Sequence, residues 1–98
     1  MSKFAIFTFD LESISKDTYA NLNSELEKMG LKRQIYDSQK NLQELPINTY
    51  IGEYNYDNDT ELKNALYTEA KTIFSSLGLN GTIFISVSEK SVIGVERI

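Results

Sequence analysis

The hydrophobic pattern opens with a strand. Residues 3–11 alternate Phe4, Ile6 and Thr8 with Ala5, Phe7, Phe9 and Leu11. Successive side chains of an extended chain point to opposite faces, so apolar groups on both sides predict a central strand over Lys3–Leu11. The pattern breaks at Glu12 and Ser13. Ser15 or Asp17 then offers a side-chain oxygen to the free N–H groups of a first helical turn. Tyr19, Leu22, Leu26 and Met29 recur every three or four residues, which is one stripe of a helix over 16–29. Gly30 suits the left-handed position that ends it.

Residues 31–38 predict a second strand, shorter and more polar, near a sheet edge. Residues 39–48 read as a connection, in which Pro46 breaks any helical continuation. A third strand is expected over 49–57, with Tyr50, Tyr54 and Tyr56 on one face and Gly52 between them. No helix separates the second and third strands, so they are expected to pair antiparallel. Asn58 and Glu61 have the spacing of a capping box. Leu62, Ala65, Leu66, Ile73, Phe74 and Leu77 form a second helical stripe, closed by Gly78. After a turn at Asn80 and Gly81, residues 82–88 predict a strand with Ile83, Ile85 and Val87 on one side. Residues 91–98 predict one more.

The order predicts a single α+β domain over residues 1–98: a ferredoxin-like β-α-β-β-α-β sandwich with an additional C-terminal strand. Right-handed crossovers put both helices on one face of the sheet. The other face stays open and carries either Phe4, Ile6 and Thr8 or their neighbours, with the tyrosine row a candidate to join it. Large apolar groups on an open face point to a partner. Aromatic residues on such a sheet stack RNA bases when Arg and Lys lie between them. Here the third strand carries Glu53 and Asp57 instead. A homodimer is therefore the favoured occupant, and an apolar terminal strand able to join a neighbour's sheet edge favours it further.

Composition narrows the chemistry. There is no cysteine, which removes disulfides, thiol catalysis and cysteine-based zinc sites. There is also no histidine, which removes the commonest general base and the usual metal-bound imidazole. Carboxylates, Arg, Lys, Tyr and hydroxyl groups remain, or a metal held by oxygen ligands. The net charge of −4 argues against a protein that coats nucleic acid, and DNA is not an expected partner. No apolar run approaches the ~20 residues that span a bilayer, and the N-terminus enters a strand directly. A cytoplasmic protein without a membrane partner is expected.

Two places carry candidate chemistry. Asp10, at the carboxyl end of the first strand, alternates away from Phe9 and Leu11. It can bind a divalent ion such as Mg2+ alone or with its dimer mate, with water as the remaining ligands; a turn- or helix-capping aspartate is the competing reading. Lys32 and Arg33, followed by Gln34, Tyr36, Asp37, Ser38 and Lys40, form the one cluster mixing basic and polar groups. Lys32, Arg33 and Lys40 can hold phosphates, and an Arg can stabilise charge on a transferring phosphoryl group. The competing reading is an edge strand kept soluble by charge, above all for Lys32 and Lys40. No Gly-rich phosphate loop and no Ser–Lys or His–carboxylate pair is present.

The first strand ending in Phe9, Asp10 and Leu11, the segment from Leu45 to Thr49 before a tyrosine-rich strand, and the strand through Ile83–Val87 together resemble the GhoS type of small endoribonuclease antitoxins. That group is related in fold to small CRISPR-associated and VapD-like ribonucleases. The resemblance runs through nearly the whole order of elements. It implies an RNA-binding or RNA-cleaving protein acting on the mRNA of a toxin partner. It also implies a role for the first-strand aspartate, Asp10, as metal ligand or base, with Arg33 at the phosphate. Tyr36, Ser38 and Lys40 join Lys32 and Arg33 as candidate RNA contacts. Asn21 and Asn23 stand on the polar face of the first helix, where Arg or Lys would grip RNA better. The alternative function is a non-catalytic homodimeric protein-interaction module.

Overall fold

The computed structural model describes residues 2–36, 39–89 and 94–95. Its elements run β1 (Ser2–Leu11), α1 (Lys16–Lys28), β2 (Gln34–Tyr36), β3 (Leu42–Glu44), β4 (Thr49–Asn55), α2 (Asp59–Ser76) and β5 (Gly81–Ser88). The fold is α+β. A three-stranded antiparallel sheet has the order β4-β1-β5, and β2 and β3 form a second, two-stranded antiparallel sheet.

The apolar strand β1 is central, as its two-sided pattern predicts. Opposite β4, Phe7 pairs with Tyr50 and Ala5 with Gly52; opposite β5, Phe7 pairs with Ile85 and Phe9 with Ile83. Ala5, Phe7 and Phe9 therefore share a face with those partners, and both helices pack on it through Leu22, Leu26, Leu62, Leu66, Ala70 and Phe74. Phe9 links the layers: its ring stacks on Tyr50 at 6.1 Å and meets Phe74 edge-on at 5.5 Å. Such geometries add about 0.5–1.5 kcal/mol per pair beyond simple burial.

Both helices begin and end as their sequences dictate. The Ser15 hydroxyl accepts from the Thr18 N–H, so Ser15 rather than Asp17 caps α1. The Asn58 side chain accepts from the Glu61 N–H at the start of α2. Each cap stabilises by about 1 kcal/mol. At the far ends Gly30 (φ 91°) and Gly78 (φ 67°) adopt the left-handed conformation. Leu31 N–H then reaches back to the Leu26 carbonyl, and Leu79 N–H to that of Phe74. This double-bonded cap closes α1 over Leu31, which is fully buried.

Lys3 is the one charged residue buried among those described, at 3% exposure. Its Nζ lies 2.8 Å from Asp59 Oδ1, at the first residue of α2, and 2.9 Å from Glu89 Oε1, just after β5. Hydrogen bonds to Asp59 and then Glu89 raise its pKa above the ordinary lysine value.

The structure corrects three expectations. The second strand spans only Gln34–Tyr36 and pairs with Leu42–Glu44, inside the stretch read as a connection. Contact with β4 is a single antiparallel bridge, Lys32 to Ile51. Polar sequence cannot sustain a long buried strand, so the chain turns away after one bridge. The third strand ends at Asn55, two residues early. The tyrosine row does not join the open face: Tyr50 is fully buried, and Tyr54 and Tyr56 pack against the core. Its side is set by pairing with β1, because Tyr50 lies opposite Phe7 and Tyr54 opposite Lys3. The expected terminal strand lies outside the described residues except for Gly94 and Val95, which are neither helix nor strand.

The open face belongs to Phe4, Ile6 and Thr8 with their cross-strand partners. Lys32, Ile51, Ile6 and Ser86 form one row across it, and Thr49, Thr8 and Phe84 the next. Phe84 is 60% exposed. No helix among the described residues is long and apolar enough to cross a membrane.

Candidate nucleic-acid interface

The chain leaves α1 through its glycine cap, buries Leu31, bridges β4 at Lys32 and enters the β2–β3 hairpin. A groove of about 630 Å³ opens between that hairpin and the flank of α1. Lys32, Arg33, Gln34 and Tyr36 line one wall; Asn23 and Glu27 line the other, with Leu42 and Glu44 at the hairpin's far strand. Three residues singled out by sequence thus meet in one place. Tyr36 is 72% exposed, presenting an aromatic ring to solvent at the groove.

Arg33 is half-buried, and its Nε is buried without a hydrogen-bond partner. A buried donor left unmade costs about 1–3 kcal/mol; Arg33 also lines a neighbouring groove with Leu45, Pro46 and Ile47. Arg33 lines the groove with Glu27 and Glu44, yet no ion pair joins it to either among the described residues, and the pairing of Lys32 with Ile51 puts the Lys32 side chain on the open sheet face.

A hydrogen-bond chain leads from the core to the groove wall. The Tyr50 hydroxyl donates to Asn23 Oδ1 at 2.7 Å, and Asn23 Nδ2 donates to Glu27 Oε1 at 3.0 Å. Tyr19 donates to Asn48 Oδ1 at 2.9 Å, fastening α1 to the start of β4. Asn48 sits at φ 65°, a conformation that Asn tolerates better than most residues. Burial chiefly pushes the Tyr50 pKa above its ordinary value, helped by Tyr19, while the nearby Arg33 charge pulls the other way. Burial also raises Tyr54, to about 12, with Glu69 adding to it. Both phenols are neutral donors at neutral pH and cannot serve as bases.

These shifts carry a pH consequence. The unfolded chain releases tyrosine protons near pH 10 and lysine protons near 10.5, whereas folded Tyr50, Tyr54 and Lys3 hold theirs longer. Stability from these groups is complete below those unfolded values and declines as pH rises through the folded ones. Denaturant midpoints should fall above pH 10, and by phenolate absorbance Tyr50 and Tyr54 should keep their protons above the ordinary tyrosine range while the chain stays folded. Ionisation of Tyr50 and Tyr54 in the ordinary range without loss of stability would contradict the burial account.

Asp10 lies elsewhere. It is exposed, pairs with Thr82 across β1 and β5, and lines a second groove of about 500 Å³ with Glu12, Asn80 and Thr82. Asp10 and Arg33 thus line different grooves, so one chain does not bring the expected catalytic pair together. Among the described residues, Asp10 and Glu12 are the carboxylates that line that second groove, and there is no group of three or more potential metal-binding side chains. Lys40 is exposed in the β2–β3 turn at φ 64° and does not line the first groove. Ser38 lies outside the described residues.

Glu27 escapes a reading of the sequence, and Asn23 enters it only as a residue of the polar face of the first helix. They stand one position beyond Leu22 and Leu26, on the flank of the buried stripe, and their spacing of four places them together. That spacing is the one available signal, and it is shared by many solvent-facing pairs. No protein-family model matches the chain, and no curated protein matches it.

Proposed function

We propose that this protein binds single-stranded RNA in the groove between α1 and the β2–β3 hairpin. One observation carries the reading: the half-buried Arg33 and the exposed Tyr36 line that groove together. An aromatic ring offers a stacking platform for a base, and a guanidinium beside it offers fixed donors to base edges or phosphate. The acidic remainder of the molecule keeps non-specific attraction low, which suits a small, local contact.

The ferredoxin-like reading of the fold is supported by the order β4-β1-β5, extended by the Lys32 bridge on the outer edge of β4. A likeness of fold speaks to architecture and not to activity. The activity proposed is binding, because Asp10 and Arg33 line different grooves. The mRNA of a toxin partner, implied by the resemblance, is the RNA to test first.

Fluorescence anisotropy with labelled single-stranded RNA tests this directly. Arg33→Ala is expected to weaken binding about tenfold or more, the loss of charged hydrogen bonds. Tyr36→Ala should weaken it about as much through lost stacking. Wild-type protein that binds none of the RNAs would falsify the reading.

A further inference from the structure

We infer that the groove recognises a guanine base edge-on, rather than the phosphate backbone; this rests on the RNA-binding reading of the same groove. A phosphate channel needs an excess of positive charge. Among the described residues the Arg33 guanidinium is set against Glu27 and Glu44, so the lining has no excess of positive charge to offer a phosphate. Arg33 is also left unpaired with either carboxylate among the described residues. A ligand suited to them must bring both acceptors and donors.

The carboxylate is built rather than incidental. Tyr50, fully buried, holds Asn23, and Asn23 holds Glu27 Oε1. Nothing else among the described residues bonds that carboxylate, so its second oxygen can accept. Arg33 supplies the complementary half through the terminal N–H groups of its rigid fork. Guanine presents two acceptors, O6 and N7, on one edge and two donors, N1–H and the N2 amino group, on the next. Adenine and cytosine each carry one amino donor, and uracil one ring N–H. Of the four bases, guanine alone sets two adjacent acceptors for an arginine beside two adjacent donors for a carboxylate. Tyr36, exposed at the groove wall, can cover the face of the base.

The test compares short single-stranded RNAs of one length that carry a single central guanine, inosine, 7-deazaguanine or adenine. Binding should fall about tenfold or more from guanine to adenine. Inosine, lacking the amino donor, and 7-deazaguanine, lacking the N7 acceptor, should each fall between. Glu27→Gln should abolish the preference for guanine over inosine. Glu27 is exposed, so this variant should fold, and circular dichroism checks that. Arg33→Lys should abolish the preference for guanine over 7-deazaguanine. Equal binding of all four RNAs, with a steep salt dependence, overturns the guanine site but leaves RNA binding standing. No binding to any of them overturns both, and leaves the groove to a protein side chain.

Discussion

Phe7→Ala is expected to remove about 3–5 kcal/mol from the free energy of folding. Phe7 is fully buried in the central strand, with Tyr50 opposite it on one side and Ile85 on the other. Its ring meets those of Phe9 and Tyr50 edge-on at 6.1 and 6.4 Å. Truncation leaves a cavity walled by strands on both sides, where backbone pairing prevents collapse. Domains of this size hold only about 5–15 kcal/mol in total, so the variant should be partly unfolded at physiological temperature. Urea denaturation of wild type and variant measures the difference. A loss below about 1 kcal/mol would mean that the site can repack, contrary to the contact pattern.

Gly52→Ala is expected to cost about 1–3 kcal/mol by overpacking, although it adds one methyl group. Tyr54 folds its ring back over Gly52 and donates from its hydroxyl to the Met29 carbonyl at 2.8 Å. A Cβ at position 52 would stand 2.7 Å from that ring and hydroxyl, and 2.9 Å from the Gly30 carbonyl oxygen. The ring would have to leave, taking with it the bond that satisfies the C-terminus of α1. A double-mutant cycle with Tyr54→Ala isolates the cause. Once the ring is gone the added methyl should cost much less, giving a coupling above about 0.5 kcal/mol. Strictly additive losses would shift the blame to strand propensity.

The helices were legible because two independent signals agree at each: a stripe of period 3.6 and a cap at either end. Ser15, Gly30, Asn58 and Gly78 all serve where pattern puts them. The hairpin was not legible. Its strands are three residues each, too short for alternation to register, and its turn uses Lys40 at positive φ, where Gly or Asn is the usual signal. Alternation grouped Tyr50, Tyr54 and Tyr56 correctly, but it gives membership of a face and not which face. That choice is made by Phe7 across the strand pair. At the candidate site, Lys32, Arg33 and Tyr36 stood out as neighbours in sequence. Asn23 and Glu27 became wall residues only because the hairpin folds beside them, a long-range event with no local trace.

Lys3 bears on how the sheet avoids the wrong answer. Strands paired on both sides can slide, and β1 offers similar aromatic and aliphatic groups at several positions. A slip of one residue would send Lys3 to the open face, away from both carboxylates. A slip of two would keep its face but draw its Nζ ~7 Å along the strand, beyond reach of Asp59 and Glu89. In either misaligned state a nearly buried cation loses its partners or an apolar residue takes its place beside two acids. The lysine thus discriminates among competing alignments more than it strengthens the correct one. Uncharged replacements would be tolerated by the native state while admitting neighbours to it, so conformational heterogeneity would appear before lost stability.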